Sequence, residues 1–450
     1  RLFGGAVRGE PDRQREAALL ALTRRLAVVA GGPGTGKTRT VARVLVATED
    51  LAARSGRRVK VALAAPTGKA AARLTESVRA ELVARPHASG DRDPELPAEA
   101  STIHRLLGGR PDGSFARDAR DRLPHDLVVV DETSMVSLPL MARLLDAVRP
   151  DASVMLVGDP FQLASVEAGA VLGEIVGPAG RGGAAGPLAG AVVRLERVHR
   201  FGAGSALAAL ADAIRDGDTS RALALARDGE ERALEWVDPE DHARLAAVER
   251  SVALQALDAV RAARDGDAAG ALSRAGELKV LCAANAGQLG VTSVTARVEQ
   301  LVSQELPGAG VGSGWYAGRP VVVSENDYGN RLFNGDVGIT MLRAGRASVV
   351  FPGSSGLRAF APSQLPALST WWATTVHKAQ GSEFERVVVM LPPPPSPVLT
   401  RELLYTAVTR SRASVTVVAS EESWRAAISH PVARASGLGA KLWPTGPVRP

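Results

Sequence analysis

The 450-residue sequence contains a single cysteine, Cys282, and no long apolar run. One cysteine cannot form an intrachain disulfide or a cysteine-rich metal site, so secreted disulfide frameworks are excluded and a reducing cytoplasm is indicated. No apolar run reaches the roughly 18 residues of a membrane span, and no signal peptide is visible, which predicts a soluble chain. Because the chain starts at Arg1 rather than Met, we expect further residues to precede it.

The charge of the chain is only mildly positive. Lys and Arg number 54 against 48 Asp and Glu, and the pI is near 9.9. Such an excess permits polyanion binding without predicting it. The length favours about three domains, and the hydrophobic content of 45% is sufficient for sizeable cores.

Short apolar runs alternate with longer Ala-, Leu- and Arg-rich segments, which is the pattern of strands alternating with helices. Runs rich in β-branched residues, each followed by a helical pattern, predict parallel sheets covered on both faces. We expect the first four strands to form one sheet and the last three to form another. The predicted strands are 26–30, 60–65, 126–131, 153–159, 277–283, 386–391 and 414–419.

Two further segments complete the predicted organisation. Residues 204–275 have a strongly helical, polar-faced pattern, and short alternating runs over 318–368 predict a small antiparallel barrel inserted into the second sheet domain. The sequence therefore predicts an α/β protein with two parallel-sheet domains and one β-barrel insertion. The predicted segments are 1–200 for the first domain, 201–317 and 369–450 for the second, and 318–368 for the insertion.

The stretch GGPGTGKT, residues 31–38, fits the P-loop pattern between an apolar strand and a helical segment. Its glycines allow backbone N–H groups to close around phosphates at the positive end of a helix. Lys37 would reach the β- and γ-phosphates of ATP, and the Thr38 hydroxyl would hold Mg²⁺. A glycine-rich turn that matches by chance is the alternative, which the strand–loop–helix context disfavours. The predicted nucleotide-binding residues are Gly32, Pro33, Gly34, Thr35, Gly36, Lys37 and Thr38.

Two polar motifs follow other predicted strands. In LVVVDETS, Asp131 would hold Mg²⁺ through water and Glu132 would accept a proton from, or orient, the attacking water. Acidic residues also favour helix N-caps, which is the alternative for this pair. In GDPFQLASV, Gln162 would sense the γ-phosphate, and a surface turn is its alternative.

Five other motifs narrow the class of NTPase: APTGKAAARL (65–74), STIHRLLG (101–108), LERVHRFG (195–202), TTVHKAQGSEF (374–384) and LLYTAVTRSRA (403–413). With these motifs the sequence resembles superfamily 1 helicases of the 5′→3′ branch, and among them the RecD family, the alpha subunits of exodeoxyribonuclease V. The resemblance extends from about Gln14 to about Ser420. It implies that the two sheet domains are RecA-like P-loop domains and that the insertion is an SH3-like barrel.

The resemblance also implies roles for individual residues. Gln14 matches the glutamine that recognises adenine, Arg200 and Arg410 match the two arginines that reach the γ-phosphate, and Glu383 matches a glutamate on the ribose. Each arginine taken alone would be an ordinary surface residue, and His104 is equally compatible with a core or capping role. The residues that match the family's contacts to single-stranded DNA are Pro66, Thr67, Thr102, His104, Thr375 and His377.

Small departures from the family pattern remove no catalytic group. Thr133 stands where Ala is common, and His199 stands where Tyr is frequent, which leaves one nucleotide contact open. Trp371 and Trp372 lie beside the predicted barrel, where they would either stack on bases or pack between barrel and sheet. We expect packing.

The stretch 374–384 combines residues expected to touch DNA with one expected to touch the nucleotide, so we expect it to couple the two ligands. The resemblance implies a 5′→3′ ATP-dependent helicase that works with RecB-like and RecC-like subunits on duplex ends. No nuclease acid cluster is visible, so cutting would belong to a partner. The alternatives are a stand-alone DNA helicase, a structural subunit with a vestigial ATPase, and an RNA-directed helicase.

Overall fold

A computed structural model gives the fold as two compact units. The first comprises Arg1–Ala203 together with Ala433–Pro450, and the second comprises Gly204–Val432. The structure describes residues 12–83, 99–110, 112–165, 169–177, 187–188, 190–196, 205–228, 233–308, 310–311, 314–327, 329–353, 356–432 and 436–443.

The first unit is built on a six-stranded parallel sheet in the order β3-β2-β4-β5-β1-β6. Along β1, Ala27 and Val29 belong to one hydrophobic core while Val28 and Ala30 belong to another. Both faces of the sheet are therefore covered, which is why its strands are continuously apolar. The strands are β1 (Leu26–Gly31), β2 (Val61–Ala65), β3 (Ser101–Thr102), β4 (Leu127–Val130), β5 (Ser153–Gly158) and β6 (Val192–Leu195).

Among its described residues the first unit has seven α-helices, including one near residue 440. The Trp443 indole N–H, just after that last helix, donates to the carbonyl oxygen of Glu174, 2.9 Å away. This packing groups the last residues with the first unit, whereas the sequence assigned them to the second domain. The helices are α1 (Arg13–Thr23), α2 (Lys37–Arg54), α3 (Gly68–Val83), α4 (Ile103–Leu106), α5 (Leu138–Ala147), α6 (Val171–Val176) and α14 (Leu438–Leu442).

The second unit contains a five-stranded parallel sheet in the order β14-β8-β15-β16-β7. The strands are β7 (Leu234–Val237), β8 (Leu278–Cys282), β14 (Ala373–Thr375), β15 (Phe384–Met390) and β16 (Ser411–Val418). The edge strand β7 lies inside the segment 204–275 that the sequence predicted to be helical throughout. The helices are α7 (Ala206–Asp216), α8 (Thr219–Asp228), α9 (His242–Arg264), α10 (Ala268–Glu277), α11 (Val291–Glu305), α12 (Arg401–Val408) and α13 (Glu421–Ser429).

An antiparallel five-stranded sheet is inserted between α11 and β14, in the order β12-β11-β10-β9-β13. Ile339 and Met341 of its strand β10 share a core with Val260 of α9, so the insertion is packed onto the second unit. The prediction of an antiparallel element over 318–368 is confirmed. Its strands are β9 (Pro320–Val323), β10 (Val337–Arg343), β11 (Arg346–Gly353), β12 (Gly356–Phe360) and β13 (Leu368–Thr370).

The prediction of an α/β fold with two parallel sheets is also confirmed, and it fits two RecA-like domains. All seven predicted strands are present, four in the first sheet and three in the second. Over the described ranges, no helix is both long and apolar enough to cross a bilayer.

Candidate nucleotide and nucleic-acid site

The loop that joins β1 to α2 has a backbone that only glycine adopts readily. Gly34 and Gly36 have φ angles of 77° and 85°, a region that side chains with a Cβ rarely occupy. A Cβ at Gly36 would lie 2.3 Å from the Gln14 amide nitrogen. The loop therefore closes tightly around the start of α2, where the helix dipole favours an anion.

Lys37 is held inside this loop. Its ammonium donates hydrogen bonds to the carbonyl oxygens of Gly31 and Gly32, at 2.6 and 2.9 Å. The Thr35 hydroxyl donates to the same Gly32 carbonyl at 2.8 Å. A positive charge and a helix N-terminus thus meet at one point, which is the arrangement that binds phosphate.

Gln14 of α1 also contacts the loop. Its amide nitrogen donates to the carbonyl oxygen of Thr35 at 3.3 Å, and its amide oxygen accepts from the Arg43 guanidinium at 2.8 Å. Arg43 of α2 is 6% exposed, and nothing in the sequence distinguished it from the other arginines of that helix. Two bonds therefore fix the side chain of Gln14 at the edge of the loop.

Asp131 and Glu132 follow β4, and the backbone of Glu132 is strained. The Glu132 backbone N–H donates to the Asp131 carboxylate at 2.8 Å, and Glu132 has a left-handed φ of 50°. Burial and the neighbouring charge of Glu132 raise the pKa of Asp131 to about 6, although Lys37 and Arg73 act in the opposite direction. Strained backbone and a perturbed carboxyl are typical of functional positions.

The side chains predicted to hold Mg²⁺, those of Asp131 and Thr38, carry the oxygen atoms that this ion prefers as ligands. A desolvated carboxylate such as that of Asp131 is stabilised by a nearby cation. Thr38 lies in the first turn of α2, next to Lys37. Mg²⁺ in nucleotide sites uses few protein oxygens and several from phosphate and water. Across the described residues no cluster of three or more His, Cys, Asp or Glu could hold a metal, and a nucleotide site does not require one.

Gln162 lies beyond β5, the strand that pairs with both β1 and β4. Its amide nitrogen donates to the Asp159 carboxylate at 3.2 Å, and the same carboxylate accepts from the backbone N–H of Phe161 at 3.0 Å. Gln162 and Asp159 are 6% and 0% exposed. The buried carboxylate of Asp159, which the sequence analysis missed, orients the amide of Gln162.

The four candidate DNA contacts of the first unit lie at one edge of its sheet. Pro66 and Thr67 follow β2, and β2 pairs with β3 so that Ala65 is opposite Thr102. The hydroxyls of Thr67 and Thr102 accept from backbone N–H groups at 3.2 Å and so cap the helices that follow. His104 is exposed, which excludes a core role.

In the second unit, the stretch 374–384 contacts Arg410. The Arg410 guanidinium donates to the carbonyl oxygen of Ser382 at 3.3 Å and is 3% exposed. Thr375 ends β14, and its hydroxyl accepts from the backbone N–H of Lys378 at 3.3 Å. The turn continues through Gly381, whose φ is 73°.

Three further residues that the sequence singled out, Glu383, Trp371 and Trp372, belong to the second unit. Glu383 accepts a hydrogen bond from Arg412 at 3.1 Å. Trp371 and Trp372 are buried, and the Trp372 indole N–H donates to the Tyr316 hydroxyl at 2.7 Å, so the expected packing role is confirmed. Arg200 and His199 lie outside the described residues.

The described site residues of both units fall within segments that match protein-family models. Residues 14–168 match the AAA domain, and residues 370–418 match the UvrD-like helicase C-terminal domain. Over 97% of its length the chain is 48% identical to the RecBCD enzyme subunit RecD of Mycobacterium tuberculosis, of which it covers 74%. The chain belongs to the RecD family.

Other comparisons agree with RecD membership. The ATP-dependent RecD2 DNA helicase of Deinococcus radiodurans is 34% identical over 90% of the chain, which covers 48% of that protein. The crystal structure of Pif1 helicase from Bacteroides in complex with ADP-AlF3 and ssDNA has a TM-score of 0.51 at 16% identity, and the match covers 92% of this chain and 94% of that one. The Pif1 likeness shows the fold alone. As a RecD family member, the chain is an ATP-dependent helicase.

Proposed function

We propose that this chain is the 5′→3′ DNA motor of a RecBCD-type helicase–nuclease, which processes double-strand breaks for recombinational repair. The observation that supports this most strongly is the 48% identity to a RecBCD subunit over 97% of the chain. The presence of Lys37, Asp131 and Glu132 supports an active motor rather than a vestigial one, as do the hydrogen bond between Lys37 and Gly31 and the raised pKa of Asp131.

In the proposed mechanism, the loop 32–38 binds the phosphates of ATP and Gln14 recognises adenine. Lys37 neutralises the β- and γ-phosphates, Glu132 orients and deprotonates the attacking water, and Gln162 responds to the γ-phosphate. Thr38 and Asp131 would hold Mg²⁺, which when bound offsets the charge of the phosphates. Arg200 and Arg410 act as arginine fingers, and Arg410 belongs to the second unit.

We further propose that hydrolysis and strand movement are coupled through the stretch 374–384. Thr375 and His377 grip the single strand, while Glu383 contacts the ribose, and the Arg410 bond to Ser382 links the two functions. The residues proposed to hold the strand in the first unit are Pro66, Thr67, Thr102 and His104. Alternating closed and open states would advance the strand, and the insertion 318–368, as an SH3-like barrel, would lie beside it.

The proposed partners are RecB-like and RecC-like subunits, in a cytoplasmic complex at DNA ends. The single cysteine fits a reducing compartment, because it cannot form an intrachain disulfide. The second candidate function is a stand-alone DNA helicase, which the 34% identity to RecD2 favours.

The deciding experiment is an affinity purification of the tagged chain from its native host, followed by mass spectrometry. Equal recovery of two large subunits, one with a nuclease domain, is the expected result. A chain recovered alone, with an ATPase that single-stranded DNA stimulates, would replace the RecBCD assignment with the RecD2-like one. Comparing DNA with RNA as the stimulating strand tests the nucleic acid, and a 5′- or 3′-tailed duplex tests the direction.

A further inference from the structure

A fully buried lysine lies in the sheet of the second unit. Lys279 is the second residue of β8, and its exposure is 0%. Its ammonium donates a hydrogen bond to the backbone carbonyl oxygen of Trp371, 2.6 Å away, and lies 3.3 Å from the centre of the Trp371 ring. Lysine is almost never fully buried without compensating partners, because desolvating its charge is costly.

The Trp371 ring also contacts Phe384. Their ring centres are 5.8 Å apart at an angle of 51°, and the two residues are 7% and 4% exposed. A cation on an aromatic face is attracted more strongly when both are desolvated. Lys279, Trp371 and Phe384 therefore form one buried contact group, which we term the lysine–tryptophan stack.

The stack joins the two ends of the stretch 374–384. Trp371 lies three residues before this stretch, and Phe384 is its last residue. At one end β14 pairs with β8, with Thr375 opposite Cys282. At the other end the Phe384 backbone N–H donates to the carbonyl oxygen of Arg410 at 2.9 Å. The spacing between the two ends therefore depends on side chains that meet over Lys279.

We propose that Lys279 is a positioning residue that fixes Thr375 and His377 relative to Arg410. The inference rests on the proposed function, in which the first two residues hold the strand and the third reaches the nucleotide. In this role Lys279 acts through Trp371. Because a displacement of about 1 Å in a catalytic arrangement can cost about 100-fold in rate, loosening this stack weakens the response of the ATPase to DNA.

The test is Lys279→Met in the whole chain, because methionine keeps an unbranched side chain in the core while removing the ammonium. We measure ATP hydrolysis against the concentration of single-stranded oligo(dT), together with the rate without DNA and the KM for ATP. The DNA concentration for half-maximal stimulation is expected to rise about tenfold, the loss typical of one buried cation–π contact. The KM for ATP is expected to stay within about twofold, because no group at the P-loop changes. Lys60→Met, at an exposed lysine, is the matched control and leaves the DNA response unchanged.

A second variant, Phe384→Leu, removes the ring contact and retains an apolar side chain. Phe384→Leu is also expected to raise the DNA concentration for half-maximal stimulation. In the double variant this concentration is expected to rise little further, because both changes disrupt one stack. A folded Lys279→Met with the wild-type half-maximal DNA concentration overturns the inference. If Lys279→Met does not fold, a wild-type response of Phe384→Leu overturns it instead.

His377→Ala in the same assay separates this inference from the proposed function. If single-stranded DNA does not stimulate the ATPase of the wild-type chain, the proposed function itself is contradicted. A responsive wild type, an impaired His377→Ala and an unaffected Lys279→Met leave the proposed function standing and overturn only the positioning role.

Discussion

The guanidinium of Arg410 donates a hydrogen bond to the carbonyl oxygen of Ser382, 28 residues earlier in the chain. A second bond from the same side chain reaches the carbonyl oxygen of Thr406 at 3.4 Å. Both acceptors are backbone atoms, one in the stretch 374–384 and one in α12, so the position of this cation depends on the path of the chain through both segments. Any shift of that stretch is therefore transmitted to Arg410.

Arg410→Ala is expected to slow ATP hydrolysis by about 10³-fold or more, because an arginine finger contributes a factor of that size. Loss of a buried donor should also lower the free energy of unfolding by about 1–3 kcal/mol. The control is Arg412→Ala, since Arg412 is exposed and its pair with Glu383 should contribute about 1 kcal/mol or less. Steady-state ATPase assays and urea denaturation measure the two effects. Equal activity losses in both variants would contradict the role of Arg410.

Glu132 offers a matched pair of substitutions because its backbone is left-handed. Glu132→Gln and Glu132→Gly should each slow hydrolysis by about 10²–10⁴-fold, as expected for loss of a general base. The free energy of unfolding should be about 1 kcal/mol higher for the Gly variant than for the Gln variant, because only glycine adopts this φ without strain. Denaturant midpoints measure the difference, and a more stable Gln variant would show that the turn relaxes.

The raised pKa of Asp131 predicts a particular pH dependence of stability. In the folded state the carboxyl of Asp131 has a pKa of about 6, whereas its ordinary value is 3.8. Stability from this group is therefore lost as the pH rises from about 4 to about 6. Asp131→Asn removes this pH-dependent loss. The free energy of unfolding of the variant should therefore exceed that of the wild type by about 1–3 kcal/mol at pH 8 and by almost nothing at pH 4.

Asp126→Asn is the control with the opposite sign. Burial acts to raise the pKa of Asp126, but hydrogen bonds from the Lys60 backbone and from Arg149 hold it below its usual range. Its replacement should therefore lower stability at pH 8, and the loss should vanish in acid. Unfolding curves at several pH values distinguish the two. A stability gain for Asp131→Asn that does not depend on pH would show that its carboxyl is not the cause.

Lys37→Ala should reduce hydrolysis by at least about 10²-fold, because a positive group that contacts the phosphates is removed. The ammonium also bonds two loop carbonyls, so the melting temperature should fall by about 2–4 °C. Lys60→Ala should leave both quantities unchanged. ATPase assays and calorimetry test this, and undiminished turnover in Lys37→Ala would rule out the proposed P-loop mechanism.

The sequence predicted the parallel sheets and the site residues at strand ends, because long β-branched runs and glycine-rich turns carry strong local signals. It missed the strands β3, β6, β7 and β14 of these sheets, which have two to four residues and are too short to show a period. It also missed Asp159 and Lys279, since their partners are set by packing. Lys279 bonds a carbonyl 92 residues away, and no local pattern records such a contact.

The return of the last residues to the first unit has a consequence for biosynthesis. A ribosome makes the whole second unit before it makes the helix α14, which packs against α6. Until then α6 lacks the indole of Trp443, and a stop codon shortly before Trp443 would damage the unit that contains the P-loop rather than the unit that precedes the stop codon in the sequence.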